Sequence, residues 1–159
     1  MGNQVLRIRR AFTLITFVLG LALVIVAIVA ETGGYDLTPG FGVLQTLIFL
    51  FGVTLLTIAA YLKMGALRNS GAPRSLQADV GVRLSLTGLV LAYVSGFADL
   101  IQIGTHLRPE FERPFLGPLQ LGGLVLGLLV LVAGMLLYYT SRGKRESSSL
   151  EFILNGKKE

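Results

Sequence analysis

Apolar residues gather in four long runs parted by short polar stretches: Ala11 to Ala30, Phe41 to Leu62, Leu84 to Gly104 and Phe115 to Tyr139. At about 1.5 Å per helical residue, each run is long enough to cross roughly 30 Å of hydrocarbon. The pattern predicts an all-α polytopic membrane protein with four transmembrane helices, at about 11–30, 41–62, 84–104 and 115–139. Residues 1–10 then form an N-terminal segment and 140–159 a C-terminal tail. Only the third run contains a carboxylate, Asp99.

Lipid tails are as apolar as leucine, so helices in a bilayer associate through close-packed small residues and interhelical hydrogen bonds. The placement of small and polar residues inside each run is therefore informative. In the third, Ser85, Gly88, Ala92, Ser95, Asp99 and Gln102 recur at alternating steps of three and four, and His106 continues the series. The fourth offers Gln120, Gly123, Gly127 and Gly134, with Val130 filling the remaining step. The second has Gly42, Gln45, Gly52 and Ala59; the first has Thr13, Thr16, Gly20, Ala27 and Ala30. Seams of this period predict a left-handed bundle with crossings near +20°.

An internal echo accompanies the seams. Pro39-x-x-Gly42-x-Leu44-Gln45 followed by Gly52 matches Pro114-x-x-Gly117-x-Leu119-Gln120 followed by Gly127, at a constant offset of 75. Arg9 and Thr13 echo Arg83 and Thr87 more faintly. Two repeated helical hairpins in the same orientation would produce this pattern; so would the general preference of Pro and Gly for helix starts.

Composition agrees with the bilayer reading: 53% of residues are hydrophobic, 14% are charged, and the mean hydropathy is +0.72. The chain contains no cysteine, which excludes disulfides, thiolate metal sites and dithiol redox chemistry. One histidine, His106, cannot by itself supply bis-His haem ligation or a multi-His metal cage. A formal charge of +5 raises nucleic acid as a partner, but the basic residues fall where topology puts them. Twelve of the 14, including Arg7, Arg9, Arg10, Lys63, Arg83 and the tail cations, lie on one side; only Arg108 and Arg113 lie opposite. By the positive-inside rule both termini are cytoplasmic, and no nucleic-acid role is expected. The first run is too long for a secretory h-region, so a retained signal anchor is expected. A bacterial inner membrane is the expected host.

The candidate chemistry centres on Asp99. Inside the third run it sits at a depth similar to Gln45 and Gln120, so Asp99, Gln102, Gln45 and Gln120 would converge near the outer surface, with His106 above them. An ionisable group in a membrane points to a functional site by default; the same groups also serve as interhelical glue. No cofactor is specified by these residues, and a lipid, quinone or pigment is what such a cluster would admit. Ser95 and His106 stand about 16 Å apart on one helix, too far for a nucleophile and its base. No catalytic constellation remains, and no enzyme activity is expected.

The outer loop from Thr105 to Pro114 mixes His106, Arg108, Glu110, Glu112 and Arg113, a solvated surface or a docking edge. In the tail, Ser148-x-x-Glu151 resembles a capping box ahead of an apolar cluster. Leu150, Phe152, Ile153 and Leu154, flanked by basic runs, suit docking on a partner or on the anionic leaflet. Two functional readings follow. In the first the chain is a non-catalytic accessory or scaffolding subunit of a larger membrane complex, with other membrane subunits or copies of itself as partners. In the second it is a small transporter, channel or ligand-binding protein using the Asp99 cluster.

Overall fold

The computed structural model describes residues 2–32, 42–67, 75–98 and 116–141. These form four helices: α1 (Gly2–Thr32), α2 (Val43–Ala66), α3 (Leu76–Gly96) and α4 (Pro118–Thr140). Each is long and apolar enough to span a membrane. Their outer surfaces stay apolar, with Leu119 82% and Ile8 69% exposed. A surface this greasy is a liability in water and matches the surrounding solvent in a bilayer, consistent with an integral membrane protein.

Two helices depart from the bounds that their apolar runs predict. α1 begins at Gly2 rather than near residue 11, because Gln4, Leu6, Arg7, Arg9 and Arg10 are good helix formers and nothing in between breaks the helix. α3 begins at Leu76, eight residues before the predicted start, and closes at Gly96 rather than 104. Its start is fixed by Ser75, whose Oγ accepts the Ala78 N–H at 3.2 Å. Asp79 in the first turn suits the positive end of the helix dipole and pairs with Arg83 at 2.9 Å. Phe97 caps the other end. Asp99, expected five residues inside this helix, therefore lies past its closing residue and outside the described residues, as do Gln102 and His106.

The helices associate as two hairpins, α1 with α2 and α3 with α4, joined by a thinner contact between α2 and α3. Small residues set each approach. In the first hairpin, Gly20 and Gly52 face each other: a Cβ on either would come within 2.9 Å of the other's carbonyl oxygen. Bulkier neighbours, Val24, Leu55 and Leu56, surround that single crossing.

The second hairpin is tighter along more of its length. Gly81 meets Gly134 and Tyr138, Gly134 meets Ser85, Gly88 meets Gly127 and Leu131, Gly127 meets Ala92, and Gly123 meets Ser95. Most of these meetings are backbone against backbone, which only residues with little or no side chain permit. The buried positions of α4 are Leu124, Gly127, Leu131 and Gly134. Leu131 therefore takes the step that the sequence pattern gives to Val130, while Gly123 sits half-buried at the edge of the seam.

Candidate functional site at the joint between hairpins

α2 carries two buried stripes. One, Gln45, Gly52 and Ala59, includes the glycine that meets α1. The other runs through Thr46, Leu50, Val53 and Thr57, and its Thr46 and Leu50 side chains pack against Gly96 of α3. Thr54 and Tyr61 flank this second stripe and supply most of its polar contacts across the joint.

At the end of the bundle nearest the α2 C-terminus, the Tyr61 hydroxyl donates to Ser85 Oγ at 2.7 Å. Ser85 Oγ donates in turn to the Leu131 carbonyl of α4 at 3.0 Å. One hydroxyl proton chain thus threads α2, α3 and α4. The Gly81 carbonyl lies 3.4 Å from the same tyrosine oxygen, as a weaker alternative acceptor. Ser85 is fully buried. Gly134 leaves the space its hydroxyl needs, since a side chain there would overlap both Oγ and the Ser85 backbone nitrogen. The Tyr61 ring stands edge-on to Tyr138, with centroids 5.2 Å apart and planes at 75°, a favoured aromatic geometry.

A second tie lies two helical turns further along. Thr54 Oγ1 donates to the Leu50 carbonyl at 2.9 Å, which spends its only proton. The Tyr93 hydroxyl, 2.9 Å away, is therefore the donor in the Thr54–Tyr93 pair. Beyond it, Gly96 fits against Leu50 and Thr46 of α2, with Leu124 of α4 alongside. Hydrogen bonds between membrane helices contribute on average about 0.6 kcal/mol and at most about 1.7 kcal/mol each, so these ties align the hairpins without locking them. The joint consists of hydroxyls and carbonyls. Among its described members there is no carboxylate, imidazole or amine to activate a hydroxyl as a nucleophile.

Of the expected polar cluster, Gln45 and Gln120 fall among the described residues. The Gln45 Oε1 accepts the Gly42 N–H at 2.7 Å, and the Gln120 Oε1 accepts the Gly117 N–H at 2.8 Å. Each glutamine occupies the third position of its own helix and folds back over the start, half of a capping box that a glycine cap has no side chain to reciprocate. These amide oxygens thus serve helix starts. Gln45 and Gln120 make the same cap in both hairpins, which explains the shared Gly-x-Leu-Gln pattern locally. The Thr13 and Thr87 hydroxyls likewise both bond back, to the Arg9 and Arg83 carbonyls, at 2.9 Å. Their registers differ, however: Arg9 precedes the α1 contact glycine, Gly20, by eleven residues, whereas Arg83 precedes Gly88 by five.

Leu150, Phe152, Ile153 and Leu154 of the tail lie outside the described residues. Among the described residues, no three His, Cys, Asp or Glu side chains are grouped to hold a metal. The hydroxyl joint was legible in one respect: Thr46, Leu50, Thr54, Thr57 and Tyr61 follow steps of four, four, three and four. A search for glycines alone passes over that stripe. No known family model, curated protein or solved structure matches the chain.

Proposed function

We propose that the chain is a non-catalytic accessory subunit of a larger membrane complex, contributing helix faces, its outer loop and its C-terminal tail to neighbouring subunits. The observation that carries this reading is the use of polar groups inside the seams. Every buried side-chain oxygen or nitrogen among the described residues has a hydrogen-bond partner. The glycine contacts close the α3–α4 seam backbone to backbone, leaving its polar groups to hold helices together. In this reading the hairpins form a left-handed bundle with both termini cytoplasmic, in a bacterial inner membrane.

Mild solubilisation of a tagged chain, followed by quantitative mass spectrometry, tests the assignment. Stoichiometric membrane partners are expected. A monodisperse particle of the chain alone with a bound small molecule would overturn it. Asp99→Asn separates this reading from a transporter or ligand-binding role: assembly is expected to survive the change, whereas loss of a measured flux or bound ligand would favour the other role.

A further inference from the structure

We propose that the α1–α2 seam, at its Arg9–Lys63 end, binds the phosphate of an anionic phospholipid headgroup. The placement begins with register. Gly20 and Gly52 mark where the two backbones meet. Arg9 precedes Gly20 by eleven residues and Lys63 follows Gly52 by eleven, about three turns each. In antiparallel neighbours that puts both cations on the shared face and at one height. The Arg9 guanidinium agrees with this register, its Nη2 lying 3.5 Å from the carbonyl of Leu62, the residue before Lys63.

At that height both apolar runs end. The apolar run of α1 starts at Ala11 and that of α2 stops at Leu62, so the two cations stand at the level of lipid phosphates. Gly65 leaves one flank of the guanidinium uncovered, where a Cβ would sit in van der Waals contact, 3.7 Å from Nη2. Both side chains are exposed, and no described carboxylate pairs with either; the described ion pair is Asp79–Arg83 on α3.

Two full positive charges are thus held side by side at the edge of a low-dielectric medium. The carbonyl end of α2 offsets part of this, equivalent to roughly half a charge. An anionic phosphate completes the balance, with the guanidinium offering a planar fork and the ammonium a mobile point charge. A zwitterionic lipid presents its own cation at the same place, so the site discriminates by net headgroup charge.

The test uses the full chain in a zwitterionic detergent and native mass spectrometry with phosphatidylglycerol and phosphatidylcholine of matched acyl chains. One phosphatidylglycerol is expected to be retained in preference to phosphatidylcholine. Arg9→Gln and Lys63→Gln are each expected to weaken it roughly fivefold, and the double variant to abolish the preference. Arg7→Gln removes the same charge from another face of α1 and is expected to have only a marginal effect. Equal weakening by Arg7→Gln and Arg9→Gln would overturn the site in favour of diffuse attraction. Displacement by excess inorganic phosphate would overturn the lipid assignment. Thermal melts of each variant in the same detergent establish that the fold is retained, and lost preference accompanied by an unchanged melt is the supporting result.

Discussion

Replacing Gly127 with alanine tests the backbone-to-backbone seam, because α4 provides its own control. A Cβ at Gly127 would stand 2.6 Å from the Ala92 nitrogen, 2.8 Å from the Gly88 carbonyl oxygen and 3.0 Å from the Ala92 Cα. All three are main-chain atoms of α3, and none can rotate away. Ordinary contact begins at 3.4 Å, so the helices must part by about 0.8 Å. A gap of that size forfeits a quarter to a half of each dispersion contact along the seam. It also stretches the Ser85–Leu131 hydrogen bond, now 3.0 Å, toward the limit of a useful bond. Overpacking of this kind costs about 1–3 kcal/mol, and the weakened hydrogen bond adds about 0.6 kcal/mol. A loss near 2 kcal/mol is expected. Gly122, on the same helix, has open space where a Cβ would go, so Gly122→Ala gains the same helix propensity without the collision. The chain has no cysteine, so a donor–acceptor pair on cysteines placed at exposed Val80 and Leu136 reports α3–α4 separation during denaturing-detergent titration. Gly127→Ala should unfold well before wild type, and Gly122→Ala at or after it. Equal midpoints for the two variants would refute the reasoning.

Three further outcomes follow from the same contacts. Ser85→Ala strips the bridge between Tyr61 and Leu131 and is expected to cost about 1 kcal/mol, with a Tyr61→Phe double-mutant cycle giving a coupling near 0.6 kcal/mol; zero coupling would mean that the hydroxyl chain does not form. Ser75→Ala removes the α3 cap and is expected to cost about 1 kcal/mol, read as an earlier denaturing-detergent midpoint, and an unchanged midpoint would reject the cap. Gln120→Leu frees the Gly117 N–H and is expected to cost about 0.5–1 kcal/mol, with exchange accelerated at Gly117 and unaltered at Tyr138; acceleration at both ends would indicate a global rather than a capping effect.

The residues at the closest helix approaches share a property. Gly20, Gly52, Gly88, Ala92 and Gly127 stand out because a small residue amid leucines has few uses in a membrane helix other than close approach. Other polar positions have several uses open to them. Gln45 and Gln120 are polar groups at membrane depth, which fits a ligand cluster as well as a cap; the cap forms because the orphan N–H of Gly42 or Gly117 is three residues away and always present. The start of α3 was hidden because Gln77, Asp79 and Arg83 break the apolar run without breaking the helix. Tyr61 and Tyr93 gain a role only when the fold sets Ser85 and Thr54 opposite them.

The sequence by itself marked out the four described helices, each long and apolar enough to cross a membrane, because a spanning segment must satisfy its own backbone hydrogen bonds, a constraint local to each run. Which face of α2 meets α1, and which meets α3, was decided only in three dimensions. Both of its stripes have helical period and include small or hydroxyl side chains. Choosing between them depends on the height at which antiparallel neighbours cross, which is a property of the pair and is written in neither helix alone.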